Sequence, residues 1–249
     1  MSVNNIRFYE ELSSNGHVAL NLMQYDGWLL RFSNGYTTRA NSVSVIYPST
    51  LPLEEKISYC EECYKKQGLP CQFKITDSES DKALNEALKN RGYEPVNTTD
   101  ILVQNLDSYN FPVTENAVFF DTPTEEWLSA YFPFENITDQ NNINTFRQML
   151  AKVQVKTIFA AIIDDGKIAA CASAAIEHGY MLLHNVVVSP EKRGKGFGKQ
   201  VCQSLIAKAK SEGTENAFLQ VVRTNEVAYN LYKKLGFKKE YSYWYMRKK

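Results

Sequence analysis

Apolar positions along this chain fall into short runs separated by polar, turn-forming stretches, and the runs carry two periods. Leu182-Leu183-His184-Asn185-Val186-Val187-Val188 is mostly apolar and of strand length, the pattern of a strand buried within a sheet. Ala217-Phe218-Leu219-Gln220-Val221-Val222 and Cys71-Gln72-Phe73-Lys74-Ile75 read the same way. Ala228, Leu231, Tyr232 and Leu235 recur at helical spacing instead, and Gly236 stands where a helix C-cap favours glycine. The chain then ends on an aromatic strand, Tyr241-Ser242-Tyr243-Trp244-Tyr245-Met246. Between Asp26 and Ser42, apolar residues flank Asn34-Gly35 and predict a hairpin around that turn.

The order of these elements repeats. Asp107 to Asn116 is polar and contains Pro112, and it reads as a linker. The division it predicts is a domain over 1–106, a linker over 107–116 and a second domain over 117–249. Val45-Ile46-Tyr47-Pro48 precedes a helix as Val187-Val188-Ser189-Pro190 does. Cys71 to Ile75 matches the strand at Phe218. Ala87-Leu88-Lys89-Asn90-Arg91-Gly92-Tyr93 matches Leu231-Tyr232-Lys233-Lys234-Leu235-Gly236-Phe237. The spacing of about 140 to 145 residues implies an internal duplication.

Composition narrows the function classes. Lys and Arg together number 28, as do Asp and Glu, so the chain carries no net charge. A general affinity for nucleic acid or an anionic membrane is not expected. No apolar run approaches the roughly 20 residues of a membrane span. Met1 to Glu10 lacks the apolar core of a signal peptide. The 5 cysteines, Cys60, Cys63, Cys71, Cys171 and Cys202, are odd in number and irregularly spaced, which argues against a disulfide framework. The expectation is a cytoplasmic protein, monomeric or homodimeric. Cys60 and Cys63 form a C-x-x-C that reads as two residues one helical turn apart, and no metal site is expected.

The chemistry concentrates after Val188. Gly194, Gly196 and Gly198 alternate with Lys195 and Phe197, behind Arg193 and ahead of Lys199. Alternating glycines let the backbone turn tightly and aim several N–H groups at one point. The helix that follows adds its positive dipole end. A dinucleotide fingerprint needs a glycine at the position of Lys199, and a Walker A loop needs Ser or Thr at the position of Gln200. Neither fits. What remains is Arg-x-x-Gly-x-Gly, behind a strand and a proline, as a cradle for a phosphorylated ligand. A tight solvent turn is the competing reading.

Arg193, Gly196 and Gly198, joined by Asn-x-x-Ala-x-x-Leu-Tyr-x-x-x-Gly-Phe from Asn225 to Phe237, resemble the two signatures of the GNAT superfamily of N-acetyltransferases. The resemblance spans Leu182 to Phe237. It implies an α/β chain of the α+β kind, with two tandem GNAT-like domains, each a mixed and mostly antiparallel sheet flanked by helices. It implies acetyl-CoA as cofactor, and a small-molecule or peptide amine as acceptor. Asn185, Val186, Val187 and Val188 would offer backbone groups to the pantetheine and acetyl carbonyl. Arg193, Gly194, Lys195, Gly196, Phe197, Gly198 and Lys199 would hold the pyrophosphate, and Asn225 would support the CoA arm or cap its helix. Tyr232 would act as general acid toward the leaving thiolate. His184 or Glu135 would be the base.

The first copy departs from this pattern. Pro48 is followed by Ser49-Thr50-Leu51-Pro52-Leu53-Glu54-Glu55, without glycine and with two acids. A cofactor-free domain that walls the acceptor pocket is the expectation. Arg39 and Asn41 would satisfy backbone groups or face the acceptor. Trp127, Tyr131, Phe132, Phe134 and the last strand supply aromatics that suit an apolar or cationic amine. Two other classes remain open: a non-catalytic acyl-CoA-binding module, and a nucleotide-binding α/β protein.

Overall fold

A computed structural model describes residues 3–248; Met1 and Ser2, where the reading of the first residues begins, lie outside them. The elements in chain order are α1 (Val3–Gly16), β1 (Asn21–Tyr25), β2 (Trp28–Phe32), β3 (Val43–Val45), α2 (Leu53–Lys66), β4 (Gln72–Thr76), α3 (Lys82–Asn90) and β5 (Glu94–Asn105). There follow β6 (Ala117–Phe120), α4 (Glu125–Phe134), α5 (Gln140–Ala151), β7 (Lys156–Asp164), β8 (Lys167–Glu177) and β9 (Tyr180–Val188). The last four are α6 (Phe197–Ser211), β10 (Asn216–Val222), α7 (Glu226–Lys234) and β11 (Lys238–Arg247). No helix among the described residues is long and apolar enough to cross a membrane.

Two compact units result. The first comprises Met1–Asp100, Asn144–Lys152 and Tyr241–Lys249, and the second Ile101–Ile143 and Val153–Glu240. Each unit is thus built from more than one segment of the sequence. The physical reason is β11, which pairs antiparallel with β4 from Tyr243↔Thr76 to Arg247↔Gln72. The final aromatic strand belongs to the first unit's sheet, ordered β1-β2-β3-β4-β11.

In both units the described strand pairs are mostly antiparallel and include a parallel one, and helices flank the sheet, as the family resemblance implied. The parallel step is β3 beside β4 in the first unit and β10 beside β9 in the second. Alternation sets the faces. In the second unit Ala170, Ala172, Ala174, Met181 and Leu183 lie in one core with Val201, Leu205 and Ala209 of α6. The small side chains of β8 let α6 sit close to the sheet. On the opposite face α4 is anchored by Trp127, which is fully buried and donates Nε1–H to the carbonyl of Ala160 at 2.9 Å. Thr124 caps that helix by accepting from the Trp127 amide.

The tight two-residue turn in the first unit is Asp26-Gly27, which joins β1 to β2 with both φ values positive, 43° and 82°. Asn34-Gly35 is also left-handed and sits in the longer connection between β2 and β3, which pair antiparallel from Trp28↔Val45 to Leu30↔Val43 as the hairpin expected there. Gly27 is required for space as well as conformation. A Cβ there would lie 2.5 Å from the Tyr47 carbonyl oxygen. Asn41 serves the backbone: its Oδ1 accepts from the amides of Ser33 and Gly35, and its Nδ2 donates to the Thr37 carbonyl. Arg39 donates Nε–H to the hydroxyl of Tyr243 at 3.2 Å.

That close turn delivers Asp26 to the loop after Pro48. Its carboxylate accepts from the amides of Thr50 and Leu51, at 2.9 Å for each shortest contact, and from the Thr50 hydroxyl at 2.7 Å. Lys56 closes the group 3.1 Å from Asp26 and 4.0 Å above the Trp28 ring. The loop amides of the first copy are thus taken by an internal carboxylate. The Leu51 amide, followed by the Thr50 hydroxyl and amide and by Lys56, holds Asp26 well below the usual carboxylate range. A depressed folded-state pKa contributes stability above the unfolded value of about 4, and that contribution fades as pH falls below it. The urea midpoints of the native protein and Asp26→Asn should differ by a constant amount from about pH 7 to 5 and converge below about pH 4. A gap unchanged across that range would show that the carboxylate's ionisation is not what holds the turn.

Candidate active site

The second unit opens where its parallel strands part. The ladder between β9 and β10 runs from Tyr180↔Asn216 to Leu183↔Leu219 and, among the described residues, stops there. Both strands continue, to Val188 and Val222. From Asn185 onward, no strand pairs with the edge of β9 toward β10 among the described residues.

A bulge falls at the same place. The register of β9 on β8 passes from Ser173↔His184 to Cys171↔Val187, so β9 carries one extra residue. Asn185 takes it up with φ of 54°, a conformation that Asn tolerates better than most residues. The extra residue changes facing. Leu183 packs in the α6 core, so His184 points to the α4 face by alternation. Asn185 points there too: its Nδ2 donates to Ser173 Oγ at 2.8 Å, and its Oδ1 accepts from the Tyr131 hydroxyl at 3.3 Å. Two consecutive polar residues therefore share one face, held by a buried serine and a tyrosine of α4. Val186 and Val188 return to the α6 side.

The glycine loop follows directly. Gly194 and Gly196 have φ of 77° and 88°, and a Cβ at either would meet nothing within 4 Å. They are required for conformation alone. Gly196 is the N-cap of α6 and supplies no side-chain cap. The first helical bond runs from the Gln200 amide to the Gly196 carbonyl, so the amides of Phe197, Gly198 and Lys199 precede the intrahelical ladder. Gly198 is tight: a Cβ there would lie 3.3 Å from Val188 Cγ2 and 3.6 Å from Leu231 Cδ2. The end of β9, the start of α6 and the Leu231–Tyr232 turn of α7 thus meet at one glycine.

The charged residues divide. Lys195 and Lys199 are exposed beside the loop. Arg193 turns back, with Nε toward the Val188 carbonyl at 3.4 Å and Nη2 toward the Phe134 carbonyl at 3.3 Å. It staples the loop to β9 and α4. Lys192 pairs with Asp164 and Asp165. Outward amides, a helix dipole and two lysines suit an anion with several oxygens.

Tyr232 is 8% exposed, and its ring meets Phe237 edge-on at 6.1 Å. Asn225 caps α7, accepting from the Ala228 amide at 3.1 Å. Asn225→Ala should therefore cost about 1 kcal/mol of stability, read from the urea midpoint. Weaker ligand binding at unchanged stability would instead assign Asn225 to the ligand. Glu135 is the exposed C-cap of α4, next to the carbonyl that Arg193 engages. Of the aromatics expected at the acceptor side, Trp127 and Phe132 are core residues, whereas Tyr131 reaches the bulge.

The family described as Probable histone acetyltransferase Rv0428c C-terminal matches residues 3–246. The chain belongs to this family. It is a GNAT-superfamily N-acetyltransferase, and a curated relative agrees along nearly the whole length. The Uncharacterized N-acetyltransferase YobR of Bacillus subtilis is 30% identical over 239 residues, 94% of this chain and 95% of the relative. In fold, the chain is similar to a GCN5-related N-acetyltransferase from Kribbella flavida, with a TM-score of 0.70 at 13% identity, covering 97% of this chain and 95% of that one. It is also similar to a tandem GNAT protein from the clavulanic acid biosynthesis pathway, with a TM-score of 0.66 at 12% identity, over 82% and 74% of the two chains. The acetyltransferase family thus spans both units, while the parted strands and glycine loop described above lie in the second.

Proposed function

We propose that this acetyltransferase moves the acetyl group of acetyl-CoA to a primary amine of a small molecule or peptide, by direct attack in a ternary complex. The observation that carries the reading is the opening of β9 from β10 beside the glycine loop. The freed edge of β9, from Asn185 to Val188, suits the amide-bearing pantetheine and the acetyl carbonyl. The loop amides and the start of α6 suit the pyrophosphate, with Lys195 and Lys199 adding charge and Arg193 holding the loop in shape.

Tyr232 donates a proton to the departing CoA thiolate. A phenol near pKa 10 can do this for a thiol near 8.5 at a cost of about 2 kcal/mol, without carrying charge beforehand. The amine must shed a proton as it attacks. His184 stands on the face shared with Asn185 and Tyr131 and is the base in this reading, with Glu135 in the second place. Direct attack is further supported by the second unit's cysteines. Burial pushes the thiols of Cys171 and Cys202 up to about 12 each, which disfavours the thiolate that an acyl-cysteine intermediate requires.

Release of free thiol from acetyl-CoA tests the proposal, followed across aryl amines, polyamines and peptides with free N-termini. At least one acceptor class should give saturable, enzyme-dependent release. Release no faster than in protein-free buffer for every class would leave an acyl-CoA-binding module in place of an enzyme.

A further inference from the structure

The side chain of Asn185 is clamped between two neighbouring elements. On the α4 side, Trp127 is fixed by its bond to the Ala160 carbonyl and stacks on Tyr131, with ring centres 4.9 Å apart and planes 11° from parallel. Tyr131 is itself buried and donates its hydroxyl to Asn185 Oδ1 at 3.3 Å. On the β8 side, Asn185 Nδ2 donates to Ser173 Oγ at 2.8 Å. Ser173 is fully buried between Ala172 and Ala174. A hydroxyl in such a place is costly unless it is matched, and Asn185 matches it.

The clamp answers a problem of register. Asn185 and Val186 stand together opposite Ala172, because Ser173 pairs with His184 and Cys171 with Val187. A bulge that slides along its strand turns each residue it passes to the other face. Apolar patterning does not stop it here, since Val186, Val187 and Val188 offer a valine to either face. A polar side chain with partners on one face does. One step toward the C-terminus would turn Asn185 away from Ser173 and Tyr131 and into the α6 core.

We propose that Ser173 and Tyr131 are positioning residues for acetyl transfer, acting through Asn185 to pin the bulge and so aim the freed backbone edge of β9 at the thioester carbonyl. The proposal rests on the acetyl-CoA reading. In that step the amine nitrogen bonds to the carbonyl carbon and gives up a proton to the base, while negative charge gathers on the carbonyl oxygen. The C–S bond then breaks, and the thiolate takes the proton of Tyr232. Donors aimed at that oxygen act on the transition state, and a small misplacement is costly in rate. The pyrophosphate grip of the glycine loop is separate, so cofactor affinity should not follow the rate.

Single-turnover transfer at saturating acetyl-CoA and amine, with acetyl-CoA affinity measured by calorimetry, tests this in three variants. Ser173→Ala suits its alanine-rich strand, Tyr131→Phe keeps the stack on Trp127, and Asn185→Gly keeps the positive φ while removing the clamp. Each should slow transfer about tenfold or more, with acetyl-CoA affinity within about twofold of native. A native rate in any of the three, in an assay where the native protein is active, would overturn the proposal and leave the acetyltransferase reading standing. So would a loss of affinity equal to the loss of rate. No transfer by the native protein to any amine would overturn both.

Discussion

Gly196→Val should lower acetyl-CoA affinity at least about 100-fold, roughly 2.7 kcal/mol, while the protein stays folded. Gly196 sits at φ of 88°, where a β-branched residue is an outlier. A Cβ there would meet nothing within 4 Å, so the substitution overpacks nothing. The loop relieves the strain by turning the peptide to negative φ, and the amides that follow lose their common aim. An anion held by several amides at once loses most of its binding when they diverge. Calorimetry on both proteins measures the loss, and thermal melts should differ little because the loop is exposed. Near-native affinity in Gly196→Val would show that these amides do not hold the cofactor.

Tyr232→Phe should reduce the rate of acetyl transfer about 100-fold or more and leave acetyl-CoA affinity near native, since a positioned general acid contributes about 10² to 10⁴. Phenylalanine keeps the buried ring and its edge-on contact with Phe237, so folding should be nearly unaffected. The hydroxyl alone is removed. The thiolate must then leave unprotonated or wait for water. The measurement is single-turnover thiol release at saturating acetyl-CoA and amine. An unchanged rate would remove Tyr232 from the mechanism.

Much of this architecture is legible in the residues because local rules and tertiary structure agree. The run Leu182 to Val188 and the glycines after it encode a strand, a turn and a helix start, and the structure contains all three. Asn225 has a cap's chemistry in a cap's position. Other features arise from register, which no single segment contains. The pairing of Asn185 with Ser173 and Tyr131 depends on one extra residue in β9, signalled only by a polar residue within a valine-rich run. Ser173 gave a comparable hint, as the lone hydroxyl in an alanine-rich strand. Asp26 fills the first copy's loop from 24 residues upstream, through a turn whose distant contact only the fold discloses. The charge of Arg193 is visible in the sequence, whereas the Val188 and Phe134 carbonyls it reaches are not. The place of β11 beside β4 follows from a pairing between segments far apart in the sequence, which no local run of residues discloses.

The central claim is that the second unit's glycine loop holds acetyl-CoA. The most direct test is parallel calorimetric titration of the native protein with acetyl-CoA, CoA, ATP and NAD. The account predicts saturable binding of acetyl-CoA and CoA, with ATP and NAD at least about tenfold weaker. Preferential binding of ATP or NAD, or no binding of acetyl-CoA, would contradict it.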